Sequence, residues 1–152
     1  MATKSYKINC LFGLILVIFF NLAHADSLKV RNSAQGFKYI TAGIGEEEVA
    51  AMKRQAKNFT LNLLFSEGVV GRWVTDVNVN IYDEASQLVF RIVAAKNVLY
   101  VNLPAGTYTI LANNAGQKLR HKVTLEDNVN QKVVLNWKDF VDEDMPQDAE
   151  GN

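Results

Sequence analysis

The chain has 152 residues, sixteen basic and sixteen acidic, with two histidines, one cysteine and a hydrophobic fraction of 49%. Its length favours one domain, and its neutral balance lacks the positive field of a nucleic-acid binder. A single Cys excludes a disulfide framework or a cysteine-built metal site.

Residues 1–25 read as a cleaved leader. Lys4 and Lys7 form the positive end, Cys10 to Phe20 is apolar, and Ala23-His24-Ala25 supplies the small-residue cleavage site. The apolar run is shorter than the roughly 20 residues that span a bilayer, so no stable membrane insertion is expected after cleavage. The mature chain then starts at Asp26, is periplasmic or secreted, and holds together by packing, because its Cys leaves with the leader.

The next stretch, 26–58, starts polar and mixed, as a flexible lead or short edge strand, before Phe37, Tyr39 and Ile40. Glu46, Glu47 and Glu48 follow two glycines and precede Val49, Met52, Ala56 and Phe59 at helical spacing. Carboxylates first and Lys53, Arg54 and Lys57 last suit the helix dipole. The pattern predicts a short amphipathic helix over 46–57. Gly43 and Gly45 could frame an anion pocket, but the three glutamates oppose it, so a turn and cap is the better reading.

From Phe59 the period becomes two. Leu61, Leu63 and Phe65 alternate, then Val77, Val79 and Ile81 with Leu88, Phe90 and Ile92 across Asp83-Glu84-Ala85-Ser86. Leu99, Val101 and Leu103 lead to Pro104 and Gly106, with Tyr108 and Ile110 beyond. After Asn113-Asn114-Ala115-Gly116 come Leu119, His121, Val123 and Leu125, then Val133, Leu135 and Trp137. Seven strand candidates with short links predict an all-β fold, an antiparallel seven-stranded β-sandwich over 59–138 preceded by the one helix. Leu103-Pro104-Ala105-Gly106 has the chemistry of a tight turn between two strands.

Six of the sixteen acids lie over 139–152 (Asp139, Asp142, Glu143, Asp144, Asp148 and Glu150) with no basic residue among them. They read as a solvated, disordered acidic tail. An arm that docks on a basic partner, or on the body of the chain itself, is the functional alternative. Residues 26–138 keep fourteen cations against ten acids, a net of +4.

Leu103-Pro104-Ala105-Gly106-Thr107-Tyr108 resembles the Leu-Pro-x-Gly-x-Tyr turn of carboxypeptidase regulatory-like domains. Asp76-Val77-Asn78-Val79-Asn80-Ile81-Tyr82-Asp83 with Gln87-Leu88-Val89-Phe90 is similar to the strand pair ahead of it. The resemblance covers about Phe59 to Trp137. It implies a transthyretin-like sandwich related to the B-type repeats of collagen adhesins, with Leu103, Pro104, Gly106 and Tyr108 as fold signature. The Gly-Ile-Gly-Glu-Glu-Glu segment resembles the front of small single-domain periplasmic proteins. The family implies an accessory or binding role and no catalytic residues. Its fold is shared with glycan-binding modules, which offers carbohydrate binding by analogy only.

No catalytic, metal or cofactor constellation emerges. His121 stands alone in the mature chain, which is too few for a His-rich metal site, and its alternation with Leu119 and Val123 predicts a partly buried structural side chain. A small hydrolase would need His121 beside a carboxylate and a hydroxyl. Asp83, Glu84, Asp127 and Asn128 read as turn chemistry rather than a calcium loop. A Lys–Asn crosslink, as in some adhesin repeats, would use Asn136, yet Phe59 to Ser66 holds no Lys. The candidate binding residues are Trp73, Tyr100, Arg120 and Lys122. The two aromatics would stack on a sugar beside a polar groove. Lys118, Arg120, Lys122 and Lys132 would share one basic face of the last two strands, as an anionic-ligand surface or a charge-protected edge. The expected partner is an envelope protein, or else a glycan.

Overall fold

The computed structural model describes residues 28–43 and 45–138. The leader expected over 1–25 and the acidic segment over 139–152 lie outside the described residues. Alternating β-branched and aromatic residues build most of the rest as strand. In chain order these are β1 (Arg31–Asn32), β2 (Lys38–Ala42), β3 (Leu61–Glu67), β4 (Arg72–Trp73), β5 (Val77–Tyr82), β6 (Leu88–Ala95), β7 (Val98–Val101), β8 (Gly106–Asn114), β9 (Gln117–Leu125) and β10 (Gln131–Trp137). A helix, α1 (Glu46–Gln55), runs into a 3-10 turn over Ala56–Asn58 between β2 and β3.

The strands form two sheets. One has the order β1-β2-β7-β3-β10, with β4 paired to the end of β3, and the other β6-β5-β8-β9. Leu61, Leu63, Phe65, Leu99, Val101, Val133 and Leu135 of the first sheet meet Val77, Val79, Ile81, Phe90, Ile110 and Val123 of the second in one core. The molecule is an all-β sandwich. Fully burying each of these side chains contributes about 1.5–3 kcal/mol.

The helix follows its sequence signals. Glu46, Glu47 and Glu48 occupy the first turn and Lys53 and Arg54 the last. Its start has no side-chain cap, but Glu48 Oε2 accepts the Gly43 N–H at 2.8 Å. Met52 packs on Ile40, Ala42, Phe59, Val98 and Tyr100, a second core on the outer face of the first sheet. This explains why all four residues of β7 are buried: one face meets the sandwich interior and the other meets α1.

Four connections cross between the sheets (β4 to β5, β6 to β7, β7 to β8 and β9 to β10), and side chains brace the last two. The β7–β8 crossing is Asn102–Ala105, so Leu103-Pro104-Ala105-Gly106 does not close a hairpin: β7 and β8 belong to different sheets. Thr60 fixes this crossing. Its Oγ1 accepts the Leu103 N–H and donates to the Leu103 carbonyl, both at 2.8 Å. The Tyr108 hydroxyl then donates to the Pro104 carbonyl at 3.0 Å, a corner of the kind that braces immunoglobulin-like sandwiches. The β9–β10 crossing, Glu126–Asn130, is held by Asn130, whose Nδ2 donates to the carbonyls of Phe59 and Ala56 while its Oδ1 accepts from Asn62 Nδ2. These bonds also satisfy carbonyls at the end of the helical segment.

The hairpins obey turn chemistry. Asn114 pairs with Gln117 across Ala115 and Gly116, both at positive φ (+48° and +86°), the geometry of a two-residue type I′ turn. The Asp83–Gln87 turn is closed by Ser86 N–H to the Asp83 carbonyl at 3.0 Å and Gln87 N–H to Asp83 Oδ1 at 2.8 Å.

Three expectations change. The described residues form ten strands rather than seven, because 28–43 supplies β1 and β2 and a two-residue β4 follows the β3 hairpin. The stretch ahead of Phe59 is therefore part of the first sheet, with Tyr39 to Ala42 registered against Val101 to Val98. The sandwich is also not wholly antiparallel: β10 pairs parallel to β3, Gln131 opposite Leu61 through Trp137 opposite Glu67.

Candidate functional site

The four candidate binding residues fall on two opposite faces. Trp73 and Tyr100 lie on the outer face of the first sheet, and Arg120 and Lys122 on the outer face of the second. Lys132 does not join Lys118, Arg120 and Lys122, because β10 leaves the sheet of β9 and pairs with β3.

On the first face, a cleft of about 310 Å³ runs between α1 and the sheet, lined by Met52, Lys53, Leu64, Trp73, Tyr100 and Lys132 among others. Tyr100 is 6% exposed and stacks at a tilt on Phe59, ring centroids 6.0 Å apart. Burial raises its phenol above the usual tyrosine range. Its ring is therefore core beneath α1 rather than a sugar platform. Trp73 is 51% exposed. It stands opposite Ser66, two residues along β3 from Leu64, and Leu64 in turn pairs with the exposed Val134.

Beside Trp73 the β3–β4 hairpin projects from the sheet. Gly68 and Gly71, at φ +70° and +68°, make its bends, and an ion pair of 3.2 Å between Arg72 and Glu67 closes its base. Val69 is 99% exposed and Val70 85%. Turn tips ordinarily carry Gly, Asn, Asp, Ser or Pro, whose side chains serve the turn itself. Two valines do nothing for this turn, so its backbone does not explain them. Together with Trp73, Leu64 and Val134 they mark an apolar surface on one side of the sandwich.

The second face is mostly polar, with Leu88 and Leu111 among its exposed residues. Direct pairing places Arg91, Asn80, Leu111 and Arg120 in one row across the sheet. Leu88, Tyr82, Thr109 and Lys122 form the next, and Asn78, Asn113 and Lys118 flank them. These rows carry four cations and no carboxylate. His121 is exposed rather than partly buried. It shares inward parity with Val123, but β9 is the edge strand of its sheet, where a long side chain can reach solvent past the sandwich. Among the described residues, no hydrogen bond or ion pair joins it to a carboxylate or hydroxyl, and no three His, Cys, Asp or Glu side chains gather as metal ligands.

A third feature had no signal in the sequence. A groove of about 570 Å³ lies along the β2 and β6 edges of the sandwich, with Lys29, Arg31, Arg91 and Lys96 around it. These cations are dispersed over nearly seventy positions, and only the folding of β6 beside the first sheet gathers them.

The fold-signature residues do structural work. Leu103 is 2% exposed and pinned by Thr60, and Tyr108 is 7% exposed. Burial, and secondarily the charge of Asp83, raises the Tyr108 phenol above its usual range. Asn136 donates to Ser66 Oγ at 2.9 Å and to the Gly68 carbonyl at 3.2 Å, a tie between β10 and the β3 hairpin. No family model matches the chain, and no curated protein matches it in sequence.

Proposed function

We propose that this chain is an exported, non-enzymatic binding module with a carboxypeptidase regulatory-like sandwich, which engages a protein partner at the cell envelope through the Val69–Val70 hairpin and the surface beside Trp73. The observation that carries the reading is the pair of valines at 99% and 85% exposure on a glycine-bounded tip, next to a half-exposed tryptophan. Aromatic and aliphatic anchors beside a cleft are what a protein contact centres on. The Tyr108–Pro104 corner supports the family reading, because it gives the Leu-Pro-x-Gly-x-Tyr pattern a mechanical role. The glycan alternative is weakened at its own residues, since the Tyr100 ring is buried beneath α1 and Trp73 borders a largely apolar cleft.

The test is photocrosslinking in intact cells of the source, with a photoreactive amino acid at Val70 and, as control, at Lys118 on the opposite sheet. The expected result is one discrete adduct from Val70 alone, lost in Trp73→Ala protein that retains its fold by circular dichroism. No adduct from Val70, or the same adducts from both positions, overturns the proposal.

A further inference from the structure

We propose that the carboxylate-free cationic face of the second sheet is the docking surface of the chain's own acidic segment, residues 139–152. Three observations converge on it.

The first is charge complementarity. Arg91, Lys118, Arg120 and Lys122 stand on the outer rows of β6 and β9, with Asn78, Asn80, Asn113, Tyr82 and Thr109 between them as hydrogen-bonding groups. None of these cations has a carboxylate partner among the described residues, where one ion pair, Arg72 with Glu67, is found. The segment that follows Lys138 carries six carboxylates and no cation.

The second is position. β10 ends at Trp137, whose indole Nε1 donates to the Gln117 carbonyl at 3.0 Å. Gln117 begins β9 and precedes Lys118. The acidic segment therefore leaves the body at the corner of the face that bears the unpaired cations. The Trp137 carbonyl also accepts the Gly68 N–H at 2.7 Å, so the same corner borders the base of the valine hairpin on the first sheet.

The third is reach. Four strands spaced about 4.8 Å apart make a face about 14 Å across between its outer strands. Fourteen residues extend to at most about 46–50 Å, so Asp142, Glu143 and Asp144 can meet Lys118, Arg120 and Lys122 while Asp148 and Glu150 reach toward Arg91. A tether this short holds the segment at an effective concentration in the millimolar range, which suits a set of exposed charge pairs that are individually weak. An external polyanion must displace it to reach the same face.

The experiment uses the full chain with Cys10→Ser and Gln147→Cys, carrying a nitroxide at position 147. Amide signals are read by NMR at low salt, where screening is weak. The expected result is paramagnetic broadening of Asn80, Arg91, Leu111 and Arg120, at least fivefold stronger than at Leu64 or Val134. Raising the salt to about 0.5 M, or combining Asp142→Asn, Glu143→Gln and Asp144→Asn, should remove it. Neutralising those acids should also tighten the midpoint for a sulfated oligosaccharide, used as probe, by several-fold on the same amides. Broadening that is absent, uniform or centred on the first sheet overturns the proposal. So does an oligosaccharide midpoint that neutralisation leaves unchanged, which would assign the face to an external polyanion alone.

Discussion

Thr60 should be one of the most sensitive polar positions in the molecule, although it sits outside every motif. Its hydroxyl meets both the N–H and the carbonyl of Leu103 at 2.8 Å, and its own carbonyl accepts the Gln131 N–H at 2.8 Å. It thus joins β3 to the β7–β8 crossing and to the start of β10. Thr60→Val keeps the shape and removes the hydroxyl. Leu103 is 2% exposed, so its N–H and carbonyl lose their partner where water has little access. An unsatisfied buried group costs about 1–3 kcal/mol, and the pair places the loss near 3 kcal/mol. Thr60→Ser keeps the oxygen, gives up one methyl, and should cost about 1 kcal/mol. Urea unfolding followed by tryptophan fluorescence is the assay. With a slope of about 1.5 kcal/mol/M, the midpoint should fall by about 2 M for Val and by less than about 1 M for Ser, with the slope unchanged. If Val proves as stable as Ser, the Thr60 bond does not hold the crossing and the argument is wrong.

Met52→Ala, under α1 at 1% exposure, should cost about 2–4 kcal/mol in the same assay, because the helix has no other fully buried anchor. Gly116→Ala should cost about 1 kcal/mol, read as a fall in melting temperature of a few degrees: a methyl there meets nothing within 4 Å, but φ +86° strains an L side chain. Val69→Asn with Val70→Asp should leave the melting temperature within about 2 °C and abolish the partner adduct, tested with the photoreactive group moved to the exposed Val134. At alkaline pH the raised phenols of Tyr100 and Tyr108 stay protonated when folded and ionise near pH 10 when unfolded. Stability should therefore be intact below about pH 10 and fall above it. Tyr100→Phe should make that fall shallower, because only Tyr108 then contributes, measured by chemical denaturation across pH 9–12.

The sequence by itself determined the local structure of most of the chain. A period of two in Val77–Ile81 and Leu119–Leu125 follows from one face meeting core and the other water. The acid-first, base-last segment over 46–57 became α1 and the start of the 3-10 turn after it, because its apolar residues fall on one side. Pro104 and Gly106 read as a tight turn between two strands, and the structure makes the segment a crossing between sheets instead, with Tyr108 bonded to Pro104.

What only the tertiary structure decided is which strands are neighbours. Arg31–Asn32 and Lys38–Ala42 are short and chemically mixed; Lys38–Ala42 is a strand because β7 offers it an edge, and Arg31–Asn32 because β2 then offers the next one. Tyr100 alternates like a surface residue, yet α1 covers it. Val134 alternates in the same way, and no element covers it. β9 and β10 are adjacent in sequence but lie in different sheets, so Lys132 parts from Arg120 and Lys122 while Arg91 joins them from thirty positions away. Periodicity records how a strand faces water, which is a property of each segment. Pairing is set by long-range burial and by the crossings that Thr60, Tyr108 and Asn130 hold, and that is where the two candidate faces of this protein were drawn.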